Sequence, residues 1–185
     1  MTARYMLFAA LIATPAAAFL TTQSLLLFYL VFPFSALFSL DWKFFRNAAL
    51  LIPAPAAVLC WAWLSENDAA FHRSLRWICA LSAGVYFARS LGPGGISLVL
   101  RSFYRCSFLT ALADSIHTAG SAAASAGEVW READSFPFGE RIVHTLTGSI
   151  KAGKPVKDSV PDAFPVAIAV ISWIFFIAVL SGRLN

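Results

Sequence analysis

The sequence predicts an all-α integral membrane protein with about five transmembrane helices and an amphipathic helical insertion before the last of them. Three observations carry this reading. Charged residues make up only 13% of the 185 residues, while 59% are apolar; an ordinary soluble domain has about 25% charged residues. Long stretches hold no charge at all: Tyr5 to Leu40, Asn47 to Ser65, and Ala163 to Gly182. Between them, Leu98 to Asp162 carries most of the charge and most of the helix-period patterning. The mean hydropathy of +0.71 agrees. The expected organisation is a bundle of about four spans over residues 1–97, an amphipathic block over 98–162, and a last span over 163–185.

The first uncharged stretch is too long for one helix, since a span needs about 20 apolar residues. It suits two short helices with a turn at Thr21-Thr22-Gln23 and kinks at Pro15 and Pro33. One long tilted helix from about Phe19 to Leu40, behind an interfacial N-terminus, is the alternative. Ala16-Ala17-Ala18 could pass for a cleavage site, but the apolar run continues past it, so an uncleaved segment is expected. Asp41-Trp-Lys-Phe-Phe-Arg46 reads as a short charged loop. Asn47 to Ser65 reads as a third span that tolerates Pro53 and Pro55 because neighbouring helices resatisfy the backbone. A fourth span lies between Arg76 and Arg89; its uncharged run gives only about 18 Å of helix, and both arginines are expected to snorkel to the interfaces. Gly92-Pro-Gly-Gly95 then breaks the helix.

In the charged block, Phe108, Leu112 and Ile116 recur at helical spacing, with Arg101 and Arg105 one turn apart. Ala119 to Gly127 contains only Ala, Ser and Gly, which lets helix backbones approach closely. Glu128 to Arg141 contains Pro137 and Gly139 and includes a break. Ile142, Leu146 and Ile150 begin a second amphipathic unit that stops at Gly153. Basic residues set the orientation. With the N-terminus in the cytoplasm, Arg4, Lys43 and Arg46 fall inside, Glu66 to Asp68 outside. The charged block returns inside with Arg101, Arg105, Arg131, Arg141, Lys151, Lys154 and Lys157. A single first helix would invert this.

Several function classes find no footing. No basic patch with interleaved aromatics exists to bind nucleic acid. His72, His117 and His144 stand apart, and Cys60, Cys79 and Cys106 have no metal spacing, so no metal, cofactor or catalytic residue is assigned. The cysteines read as buried, inert thiols. The spans hold no interior acidic residue of the kind ion carriers use.

An apolar bundle, an amphipathic insertion and one final span together resemble the transmembrane T component of energy-coupling factor (ECF) transporters. Asp41-Trp-Lys-Phe-Phe-Arg46 with Ala48 to Leu64 is similar to that family's basic loop and proline-containing helix. Arg76 to Arg89 followed by Leu98 to Ala113 resembles its entry into the coupling helices. The family ends each of two coupling helices in Ala-Arg-Gly, whose arginine engages a groove on an ATPase. Ser125-Ala126-Gly127 and Lys151-Ala152-Gly153 stand in comparable places without the arginine, leaving Arg131 and Lys151 as substitutes, although lysine and arginine differ in geometry. The resemblance implies ABC-type ATPase partners, a substrate-binding membrane subunit, the lipid bilayer of the inner (cytoplasmic) membrane as setting, and no enzymatic activity in this chain. Phe108, Leu112, Ile116, Ile142, Leu146 and Ile150 are the expected packing face. The other reading is a membrane scaffold or assembly subunit that binds a protein or lipid through the same block.

Overall fold

The computed structural model describes residues 2–20, 23–103, 106–152 and 162–181, and all regular structure among them is helical. The order is α1 (Thr2–Leu20), a 3-10 helix (Gln23–Leu30), α2 (Val31–Phe38), α3 (Trp42–Leu51), α4 (Pro53–Leu64), α5 (Asp68–Arg101), α6 (Ser107–Glu132), a 3-10 turn (Ala133–Ser135), α7 (Phe138–Ala152) and α8 (Ala163–Leu180). Two compact units result: Met1–Ser90 with Pro161–Asn185, and Leu91–Val160. Lys154, Lys157, Gly153, Arg105 and the Thr21-Thr22 turn lie outside the described residues.

In the first unit, α1 and α8 are long and apolar enough to cross a membrane, and α3 with α4 makes a third candidate if the bent pair is one span. The buried face of α1 is Leu7, Ala10, Thr14, Ala17 and Ala18, and that of α8 is Ile168, Ala169, Ser172 and Val179. These two helices pack together through mostly small side chains. Between apolar helices in lipid the hydrophobic effect supplies little, so close backbone approach and dispersion hold the pair. Most other large aliphatic residues of α8 point outward: Ile171, Ile174, Ile177 and Leu180 are all exposed. Such a surface would aggregate in water and is natural against hydrocarbon. The centre of the unit is aromatic. Phe28 stacks on Phe175 of α8 at 4.0 Å, and fully buried Phe32 meets Phe87 at 5.4 Å and Tyr86 at 5.6 Å.

Two turns take a form the sequence does not advertise. After α2, Asp41 N–H donates to Ala36 O and Leu40 N–H to Leu37 O. After α4, Asn67 N–H donates to Ala62 O and Glu66 N–H to Trp63 O. Both are Schellman endings, which need a left-handed residue and usually recruit glycine. Here Leu40 (φ 50°) and Glu66 (φ 53°) fill it. The charged loop expected at Asp41 to Arg46 therefore shrinks to the turn, and Trp42 to Arg46 open α3. The expected third span is also not straight. Pro53 and Pro55 withhold backbone N–H groups after Ile52, and α3 and α4 meet at 58°. Likewise the 3-10 helix turns into α2 two residues before Pro33, which cannot donate to Tyr29 O. Residues 2–20 and 23–38 are thus both helical.

In α5, Asn67 Oδ1 accepts from Ala70 N–H and caps the start. The helix runs on past the uncharged window expected between Arg76 and Arg89, and residues 68–91 measure about 36 Å. Its arginines do not simply snorkel. Arg76 donates to Phe19 O at 3.1 Å, capping the end of α1, and Arg89 forms an ion pair with Asp41. The Gly92-to-Gly95 break is confined to Gly92 (φ 67°, ψ 166°), after which Pro93 restarts the helix. Of the cysteines only Cys79 is buried; Cys60 and Cys106 are exposed.

Burial raises the Asp41 carboxyl, but the Arg89 hydrogen bond and charge outweigh it and hold it below the ordinary value of 3.8. A depressed folded-state value stabilises the fold above pH 3.8, and this is lost as pH falls through the lowered value. Asp41→Asn should therefore lower the melting temperature at neutral pH in detergent, with the gap to wild type closing only below pH 3.8. Backbone conformation gives a second test. Gly92→Ala enters a region open essentially to glycine and should cost about 1–3 kcal/mol, whereas Glu66→Gly removes left-handed strain of about 1 kcal/mol and should be neutral or stabilising by chemical unfolding.

Candidate partner-binding surface

The second unit holds the candidate functional surface, a helical hairpin of α6 and α7. Its turn is made by Ala133–Ser135 and by Phe136-Pro137, where the chain cannot continue as helix. The break expected within Glu128 to Arg141 is there. Arg141, half-buried on α7, closes the turn. Its guanidinium donates to Trp130 O at 3.0 Å, pairs with Asp134 at 2.7 Å, and lies over the Trp130 ring at 4.2 Å. Trp130 O belongs to the last turn of α6, where carbonyls lack helical partners and a cation suits the dipole.

Small residues seal the contact. Ser125 Oγ donates to Ser149 O at 2.9 Å, both residues being buried. Val129 and Ala133 complete the α6 side. A methyl group added at Gly148 would come within 2.8 Å of Val129 Cγ1, so glycine sets the helix separation there. A second ion pair, Arg101 to Asp114 at 2.7 Å, ties the end of α5 to α6.

The expected packing face is not the seam of this hairpin. Ala, Ser, Gly and Val fill the seam, so the larger apolar side chains have no room in it. Phe108, Leu112, Ile142, Leu146 and Ile150 are exposed, and Ile116 is half-buried. On α7, Phe138 (73% exposed), Ile142, Leu146 (61%) and Ile150 (62%) recur every four residues with Val143 beside them. They form one apolar strip that starts at Phe138, edge-on to Trp130 of α6 at 6.3 Å, and runs exposed along α7. On its other edge Phe136 stacks on His144 at 5.0 Å, beside a shallow groove of about 410 Å³ bounded by Glu140, Val143 and Thr147. An exposed ladder of this kind is suited to docking a helix or an apolar surface.

The helix-end residues fare unevenly. The amphipathic helix expected over Leu98 to Ile116 is interrupted after Arg101 and restarts at Ser107. Ser125, Ala126 and Gly127 lie inside α6, which runs on to Glu132 because no helix breaker follows Gly127. Ser125 is spent on the seam, Gly127 and Arg131 are exposed, and Ala126 is half-buried. Lys151 and Ala152 form the exposed last turn of α7; Gly153 falls outside the described residues. Arg141, Ser149 and Gly148 were not singled out as site residues, and no periodicity marks them, since small and charged residues enter the apolar pattern only as gaps. Among the described residues, no three or more His, Cys, Asp or Glu side chains gather as a metal site would require. Comparison with protein-family models, curated proteins and solved structures finds no match.

Overpacking a tight seam costs about 1–3 kcal/mol, against about 1 kcal/mol of helix propensity gained on replacing glycine with alanine. Gly148→Ala should therefore destabilise the hairpin by about 1 kcal/mol, and Val129→Ala should relieve it. The Gly148/Val129 double-mutant cycle, read by chemical unfolding, should give a coupling above about 0.5 kcal/mol.

Proposed function

We propose that this chain is the transmembrane coupling subunit of an ECF-type ABC importer for a vitamin or metal ion. In this reading ABC-type ATPase subunits dock on the α6–α7 hairpin, and the chain passes their motion to a substrate-binding membrane subunit. The observation that carries it is the hairpin itself: two helices locked by small residues, with large apolar side chains left outward, in a chain that also holds two to three helices apolar enough to cross a membrane. A lever must be stiff within itself and adhesive on its outside.

The reading takes five spans: α1, residues 23–38, α3 with α4, residues 68–91 of α5, and α8. The second is short by residue count. A 3-10 turn rises about 2.0 Å per residue and an α-helix about 1.5 Å, so 23–38 extends about 28 Å, near the bilayer core of about 30 Å. With the N-terminus in the cytoplasm of a cell whose inner membrane holds the protein, the basic residues of the hairpin lie inside. Lys151 and Ala152, at the exposed end of α7, are the helix-end residues in position to enter an ATPase groove, with Arg131 on α6 as the other cation.

A membrane scaffold or assembly subunit is the second reading. It is favoured by Ser125 being buried and by α6 running through Gly127, so that α6 offers no free end there. Purification of the full chain from its native membrane, followed by mass spectrometry, separates the two. The importer reading expects a stoichiometric nucleotide-binding subunit that Leu146→Glu or Ile150→Glu releases; a preparation without one overturns it. A different stable partner, lost with the same substitutions, establishes the scaffold.

A further inference from the structure

The exposed apolar residues of α7 share one arc of the helix. At about 100° per residue, Ile142, Leu146, Ile150 and Val143 fall within about 100° of one another, and all four are exposed. Glu140, Thr147, Lys151 and His144, also exposed, fill the next arc. Gly148 and Ser149, which meet α6, lie on the other side of the apolar residues. Beyond its seam, then, the helix offers a hydrocarbon edge bordered by a polar one. That is the pattern of a helix lying in a membrane interface, its apolar side chains sunk about 5–10 Å into the acyl boundary.

Where α7 stops decides what this edge can reach. Ten residues separate Ala152 from Ala163, the first residue of α8, so a fully extended chain puts at most about 40 Å between them. Helix α8 is apolar enough to cross a membrane. A bilayer surface is thus tied to α7 by the chain itself, at an effective concentration set by a short tether. The charges along the connection suit that surface. Lys151, Lys154 and Lys157 come first, next to α7, and Asp158 and Asp162 follow towards α8. Lysines so placed reach lipid phosphates while their stems stay along the apolar boundary.

We propose that, in the chain without a partner, the edge formed by Ile142, Val143, Leu146 and Ile150 lies in the headgroup boundary of the bilayer that α8 crosses. This does not rest on the importer reading, because any protein that docks on the edge has to take it from lipid.

The test uses the full chain, with exposed Cys60 and Cys106 changed to serine and buried Cys79 kept, reconstituted alone in vesicles of phosphatidylcholine and phosphatidylglycerol. Ile142→Cys, Leu146→Cys and Ile150→Cys each carry a nitroxide spin label on the apolar edge. Glu140→Cys, Thr147→Cys and Lys151→Cys each carry one on the polar edge. Collisions with oxygen, which concentrates in hydrocarbon, are compared with collisions with a water-soluble nickel chelate. The apolar-edge labels should be oxygen-dominated and the polar-edge labels nickel-dominated. Leu146→Glu, at an exposed position, should make the labels of Ile142→Cys and Ile150→Cys nickel-dominated without changing the melting temperature. Nickel-dominated labels on both edges of the otherwise unchanged helix put the edge in water and overturn the proposal. Apolar-edge labels shielded from both reagents also overturn it, since they put the edge against protein, such as a second copy of the chain. The importer reading is decided by the co-purifying subunit, so either can fail without the other.

Discussion

A chain whose outer surface is largely hydrocarbon has to close its own backbone hydrogen bonds, because no solvent does it where lipid lies. Most of the polar detail in this protein answers that demand. Helices satisfy their interiors, so what remains is the carbonyls at helix ends. Arg76 takes Phe19 O, and two Schellman turns fold the ends of α2 and α4 back on themselves. Serine hydroxyls behave likewise: Ser172 donates to Ile168 O in its own helix. In the second unit the same devices close a turn and a seam, where Arg141 takes Trp130 O and Ser125 reaches across to Ser149 O. The arginines that look like topology markers are also caps and ion-pair partners, and remain cations near segment ends in either role.

The same packing rule operates in both units with opposite consequences. Small residues form the contact faces of α1 and α8, and again the seam of α6 and α7, so large apolar side chains are pushed outward in both. On α8 the outward residues suit acyl chains. On α7 they form a strip on a helix whose other positions are polar, which is the pattern of an element that meets a partner or an interface.

The existence of the helices and the separation of charged from apolar sequence were legible because period and composition report them directly. So was the break at Gly92, where glycine and proline act through local sterics. The ends of α2 and α4 were not legible, since Leu40 and Glu66 hold conformations usually announced by glycine. Nor was the role of Gly127: a glycine in a run of alanine and serine reads as a stop, yet α6 absorbs it at a cost of about 1 kcal/mol and continues. The candidate surface was half legible. The spacing of Phe108, Leu112 and Ile116 on one helix and of Ile142, Leu146 and Ile150 on the next is visible in the sequence, but periodicity gives a face and says nothing of what the face meets.

By itself, then, the sequence determined the helical class, the apolar character of the flanking segments, and which residues share a helix face, because each follows from local spacing and transfer free energy. Tertiary structure alone decided which face becomes the seam. That choice depends on how closely two backbones approach, and Gly148 opposite Val129, with Ser125 bonded to Ser149, lets them approach through the small residues. The apolar strip is outside for that reason.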